Sequence, residues 1–185
     1  SHHSAAPAVA KYAIKHNCAL VIGTTGHTYE EQAAIQEATD YVPVFYAGNM
    51  SLGIAVLCKL AAQAATFFPD ADIEILEVHH NRKVDAPSGT ALMLADAIRE
   101  VREESEYVYD RHSVRRERAP EEIGIHAIRI GNEVGTHEIL FGNGNETITL
   151  KHEAENRALF AQGALKAASF LEGKEPGFYN MDDMV

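Results

Sequence analysis

Short apolar runs alternate with helical stretches through the first half of this chain, and that alternation constrains the fold more than any other feature. Residues 7–17 read as a helix and 19–22 (Ala-Leu-Val-Ile) as a fully apolar strand. A second helix over 29–39 and a second strand over 42–46 follow, then a long helix over 51–68. Strands with no polar face are the kind buried on both sides, so helix–strand alternation of this type predicts a parallel α/β sheet. Beyond residue 73 the pattern changes. Residues 123–130 alternate apolar and polar side chains, as a half-buried strand does, and 133–141 and 147–152 follow in the same manner. Gly142-Asn143-Gly144 falls where a hairpin turn is expected. This second part predicts an α+β domain with a mainly antiparallel sheet. A final helix over 156–173 carries Leu159, Phe160, Ala164, Leu165, Ala168 and Leu171 at helical spacing, a stripe expected to face a core.

Charge narrows the function. With 27 acidic and 16 basic residues the formal charge is −11. The densest cationic stretch, 111–118, is interrupted by Glu117, so nucleic-acid binding through phosphate neutralisation is not expected. Cys18 and Cys58 read as reduced, packed thiols. No secretory signal or membrane-spanning run is evident, and a soluble, cytoplasmic protein is expected.

Residues 77–91, Glu-Val-His-His-Asn-Arg-Lys-Val-Asp-Ala-Pro-Ser-Gly-Thr-Ala, carry the most chemical information. They set two histidines and a lysine at the end of an apolar strand, 73–78, just before a helix start. Ser88 suits an N-cap and Gly89 permits close backbone approach. Free N–H groups and the dipole at a helix start favour an anion. With Lys83 adjacent, the segment forms a coherent carboxylate-binding device. The competing readings are a solvated strand end and an ordinary capped helix. A metal site is the minor reading, because adjacent strand residues point to opposite faces and His79 and His80 do not converge there.

The stretch closely resembles the signature Glu-x-His-His-x-x-Lys-x-Asp-Ala-Pro-Ser-Gly-Thr-Ala of dihydrodipicolinate reductases, and every fixed position is filled. The segment from Arg129 through Gly131 and Gly135 to His137 resembles a second family segment, with Thr136 where glutamate is commoner. Gly23-Thr24-Thr25-Gly26 and Ala47-Gly48-Asn49-Met50-Ser51 resemble the two family loops that flank the nicotinamide and its ribose, although Gly48 stands where alanine or proline is more usual.

The resemblance implies NAD(P)H-dependent reduction of a cyclic hydroxylated dicarboxylate, 4-hydroxy-tetrahydrodipicolinate, in lysine and diaminopimelate biosynthesis. It implies His79 and Lys83 as catalytic proton donors, and His80, Ser88, Gly89, Thr90 and Arg157 as substrate-binding. Gly23, Thr24, Thr25, Ala47, Gly48, Asn49 and Met50 would bind the cofactor, NADPH or NADH, and no metal is implied. It implies three segments: 1–50 as the second half of a Rossmann-like nucleotide domain, 51–175 as a substrate and tetramerisation domain, and 176–185 as a tail returning toward the nucleotide domain. A homotetramer is expected. The pyrophosphate fingerprint Gly-x-Gly-x-x-Gly occurs nowhere in these 185 residues. The resemblance therefore implies a chain beginning after the family's first strands, a poor reductase in isolation, and no indication of NADH or NADPH preference. A non-catalytic substrate-domain fragment and a metal-dependent hydrolase are the alternatives.

Overall fold

The computed structural model describes residues 2–185. A short 3-10 turn, His3–Ala5, precedes α1 (Ala6–His16), β1 (Leu20–Ile22), α2 (Tyr29–Ala38), β2 (Pro43–Tyr46) and α3 (Leu52–Phe67). There follow β3 (Asp72–His79), α4 (Gly89–Arg99), β4 (Glu106–Val108), β5 (Glu122–Arg129), β6 (Thr136–Asn143) and β7 (Glu146–Glu153). The chain ends with α5 (Ala158–Phe170), β8 (Gly177–Tyr179) and a 3-10 turn, Met181–Met184. Two compact units result: one runs to Leu52 and resumes over Ala158–Val185, the other is Gly53–Arg157. The sequence reading put the return at residue 176; the structure moves it back to Ala158, so α5 belongs with the first unit.

In the first unit β1, β2 and β8 form a parallel sheet in that order, with Ile22 opposite Tyr46 and Val44 opposite Phe178. Val44 and Phe45 are both fully buried although they point to opposite faces, as a sheet covered on both sides requires. Ala6, Ala10 and Ala13 of α1 and Ile35 and Ala38 of α2 pack with Leu20, Ile22, Val42 and Val44. Asn17 in the left-handed conformation ends α1, returning its N–H to the Ala13 and Ile14 carbonyls. A capping box between Thr28 and Glu31 starts α2.

The buried face of α5 differs from the stripe expected of it. Gly163, Ala167 and Leu171 are buried, whereas Leu165 is 70% exposed. Close approach is the reason: a Cβ at Gly163 would fall 1.7 Å from the Met50 carbonyl oxygen, so only small residues fit that face. Cys18 is exposed rather than packed, and both cysteines are free thiols.

The second unit is a five-stranded sheet in the order β4-β5-β3-β6-β7. Its β4–β5 and β5–β3 pairs are parallel and its β3–β6 and β6–β7 pairs antiparallel. The sheet is thus mixed rather than mainly antiparallel, because α4 carries the chain across between β3 and β5, a crossover that requires parallel partners. Ile73 and Ile75 align with Ile123, Ile125, Ile139 and Phe141 on one face. That face packs on Ile54, Leu57 and Ala61 of α3 and on Leu94, Ala95 and Ile98 of α4. On the other face Glu74 takes Arg111, Arg118 and His126, while Glu122 takes Arg111 and Arg116. The basic stretch 111–118 is therefore engaged with carboxylates of its own sheet. Among the described residues no helix is long and apolar enough to cross a membrane.

Candidate active site

β3 delivers the signature residues. Its alternation puts Ile73, Ile75, Glu77 and His79 on the helix-covered face, so the last two polar side chains continue a buried apolar row. Glu77 is fully buried. Its carboxylate accepts two hydrogen bonds from Arg129, at 2.8 and 2.7 Å, one from the Ser88 N–H at 3.0 Å, and meets His79 Nδ1 at 2.5 Å. Burial opposes its charge, but Arg129, His79 and the Ser88 amide together hold its pKa below the usual carboxylate value. Arg129 arrives from β5 because parallel register sets it opposite His79. Its guanidinium also donates to the Asp85 carbonyl at 2.7 Å, fastening the loop that leads into α4.

The loop after β5 closes the strand end. Ile130 N–H donates to the His79 carbonyl, His80 N–H to Glu133 and Asn81 N–H to Gly131. At Gly135 an added Cβ would lie 3.0 Å from His79 Nε2, so the absent side chain leaves the room that nitrogen occupies. His137 packs edge-on to His79 with ring centroids 5.1 Å apart.

Ser88 caps α4 through its hydroxyl, which accepts from Ala91 N–H and lies 3.1 Å from His137 Nε2. It is 2% exposed, with its amide donated to Glu77 and its hydroxyl engaged at the helix start. Gly89, the first residue of α4, is exposed, and nothing lies within 4 Å of where its Cβ would be. Thr90 follows, half-buried, in the same first turn.

Positive charge gathers around His80. Its pKa is lowered by partial desolvation and then by Arg82, Arg157, His79 and Lys83, which brings Arg157 and Lys83 into one field although they are far apart in sequence. His80 Nδ1 is buried and has no partner among the described residues. Lys83 pairs with Asp85 at 2.9 Å, and Arg82 reaches Asn132 at 3.0 Å. Among the described residues no three His, Cys, Asp or Glu side chains converge to hold a metal ion.

In the first unit the two loops expected to meet a cofactor do share an edge. Gly23-Thr24-Thr25 follows β1 and Ala47-Gly48-Asn49-Met50 follows β2, and the strands are parallel. Ala47 N–H donates to the Ile22 carbonyl at 3.1 Å, and Asn49 Oδ1 accepts from Ser51 N–H at 2.8 Å. Gly23, Thr25 and Gly48 are exposed, Thr24 and Asn49 half-buried, while Ala47 and Met50 turn their side chains inward. Exposed glycines and small hydroxyls at the carboxyl edge of a parallel sheet fit the flat ring and ribose of a nicotinamide nucleotide.

Sequence reasoning left three contributors without a role: Glu77, Arg129 and His137. Each stood inside a quoted motif, but their value lies in pairings between β3, β5 and β6.

The parallel sheet thus carries exposed glycine and threonine loops on its carboxyl edge, and the second unit sets an imidazole beside the start of α4. Models of the dihydrodipicolinate reductase N-terminus and C-terminus match residues 1–50 and 53–185. The chain belongs to the dihydrodipicolinate reductase family, NAD(P)H-dependent enzymes of lysine and diaminopimelate biosynthesis. Over its whole length it is 51% identical to the 4-hydroxy-tetrahydrodipicolinate reductase of Caldanaerobacter subterraneus subsp. tengcongensis, spanning 74% of that protein. It is 46% identical, again over its whole length, to the enzyme of that name from Clostridium tetani, spanning 73% of it. Among solved structures, the dipicolinate-bound dihydrodipicolinate reductase of Paenisporosarcina sp. TG-14 matches all of this chain and 71% of its own, with a TM-score of 0.78 at 28% identity. The hydrolase alternative falls with this assignment.

Proposed function

We propose that the protein reduces 4-hydroxy-tetrahydrodipicolinate to tetrahydrodipicolinate in the cytoplasm, with His79 as general acid and Lys83 as carboxylate partner and second donor. The observation that carries this reading is the single constellation at the end of β3. It combines an anchored imidazole, an exposed glycine opening α4, and a field from Arg82, Lys83 and Arg157 around His80. A bound nicotinamide nucleotide supplies the hydride. The chain's own residues orient the dicarboxylate and deliver a proton to the carbon beside the one reduced. One carboxylate meets the N–H groups at the start of α4 and the Lys83 ammonium, the pairing favoured by dipole and charge. The second meets Arg157 and the His80 ring. A related structure with dipicolinate bound supports a planar dicarboxylate ligand. The cofactor is NADPH or NADH. We further infer a homotetramer built through the uncovered face of the second unit's sheet.

The test is His79→Gln in the active enzyme. Removing a positioned general acid costs roughly 10²–10⁴ in rate, so turnover should fall by that order while cofactor affinity stays unchanged. Turnover within about twofold of wild type would transfer the role to Lys83.

A further inference from the structure

We infer that Glu77 is a positioning residue for the reaction: its buried carboxylate accepts a hydrogen bond from His79 Nδ1 and so fixes the imidazole with Nε2 as the nitrogen that takes up and gives off the catalytic proton. The inference deepens the proposed role of His79 and rests on it for its catalytic meaning.

The geometry is specific. Glu77 is fully buried, yet every direction around its carboxylate is used: Arg129 holds both oxygens, the Ser88 amide holds Oε1, and His79 Nδ1 faces Oε2 at 2.5 Å. A buried carboxylate is tolerated only when paired and hydrogen-bonded in this way. Three of its four partners are obligatory donors, the Arg129 and Ser88 N–H groups. An ionised carboxylate only accepts, so the fourth partner, Nδ1, must carry a proton. Gly135 leaves the space at Nε2 clear, and His79 keeps 9% of its surface exposed.

Charge alone does not account for the arrangement. Arg129 already neutralises Glu77, so the carboxylate adds little net attraction for an imidazolium. What remains is direction. In the step itself, imidazolium Nε2–H passes its proton to the substrate carbon that has gained electron density from hydride addition. The ring is left neutral with Nδ1–H still donated to Glu77, Glu77 stays ionised, and solvent returns a proton to Nε2. In serine-protease triads, replacing the orienting carboxylate by its amide costs about 10⁴ in rate by imposing the wrong tautomer.

The decisive measurement is long-range ¹H–¹⁵N NMR of the His79 ring in this 185-residue protein, recorded above the pH at which the ring titrates. The wild type should show the Nδ1–H tautomer, against the ordinary preference of histidine side chains for Nε2–H. In Glu77→Gln, Arg129 and Ser88 retain the single amide oxygen, which turns the NH₂ toward Nδ1. The neutral ring should then switch to Nε2–H, and Glu77→Asp should restore Nδ1–H at least in part. In the active enzyme Glu77→Gln should lower kcat by about 10²–10⁴ while KM for cofactor is unchanged. A wild-type ring in the Nε2–H form overturns the inference whether or not any variant folds. So does a Glu77→Gln ring that stays Nδ1–H. A tautomer switch accompanied by unimpaired His79→Gln turnover supports Glu77's hold on the ring and removes only the reading of His79 as the acid.

Discussion

His137 sits on the buried face of β6 with its Nε2 beside the Ser88 hydroxyl, and only 4% of it is exposed. Burial, and next the neighbouring His79, push its pKa down to about 4, against a smaller opposing pull from Glu77. The folded protein therefore keeps His137 neutral where the unfolded chain, with an imidazole pKa of about 6.5, binds a proton. Stability rises with pH wherever the unfolded state binds more protons. This contribution is complete above the unfolded value and is lost as pH falls from there toward about 4. Over that interval it amounts to on the order of 3 kcal/mol. Glu77 acts later: its lowered pKa stabilises the fold above the ordinary carboxylate range and is lost only below it. We predict that urea unfolding of the wild type weakens steadily between pH 6.5 and 4.5, and that His137→Gln flattens this slope. An unchanged slope in that variant would assign the protons elsewhere. Lys83 carries a second prediction at this scale. Its partner Asp85 is 60% exposed, and exposed ion pairs contribute only about 0–1 kcal/mol. Asp85→Asn should therefore tighten binding of pyridine-2,6-dicarboxylate in calorimetry by no more than about fivefold. Lys83→Ala should weaken it more than His79→Gln does.

At the scale of the element, α5 and the loop after β2 are locked by Gly163. Because a Cβ there meets the Met50 carbonyl oxygen at 1.7 Å, Gly163→Ala must displace α5 or the loop. We predict a loss of about 1–3 kcal/mol, the usual penalty of overpacking, read by thermal unfolding, together with weaker nicotinamide-nucleotide binding. A variant as stable as wild type would show that the helix does not need so close an approach. The same helix shows where sequence patterning ran out. Strands β1, β2, β3 and β5 were legible because period-2 or continuous apolar runs leave few other solutions. The burial of α5 was not, since its contact face is made of Gly163 and Ala167 and its large apolar residue Leu165 points away. Likewise His79, Lys83 and the start of α4 were legible as one contiguous motif. The anchoring of His79 was not, because Arg129 lies fifty residues further on and reaches Glu77 only through the parallel β3–β5 register. That parallel pairing was itself hidden by β4, a three-residue strand too short to carry a pattern.

For the molecule as a whole, the sheet of the second unit has helices on one face only. On its other face Asp72 and Glu74, near the start of β3, are engaged by Arg118, Arg111 and His126. Toward the end of the same strand the residues turn apolar. Leu76 and Val78 are half-buried, Ile128 opposite Val78 on β5 is 43% exposed, and Leu140, opposite Glu74 on β6, is half-buried. A solvated face of such a sheet is ordinarily polar, so Leu76, Val78, Ile128 and Leu140, interspersed there with His126, Glu138 and Thr136, fit a surface that a partner covers. On the proposed homotetramer a second copy of the same sheet would cover it, and closed symmetry would then follow from a self-complementary patch. Polar Thr147, Thr149 and Lys151 on β7 flank these residues and fit the rim of such an interface. We predict that light scattering gives a mass several times the 20.2 kDa of one chain. Ile128→Glu with Leu140→Glu should return it to a monomer whose circular dichroism is unchanged, since neither side chain belongs to the core on the helix-covered face. A wild-type monomer with native circular dichroism would leave these apolar residues without a partner and end the homotetramer reading.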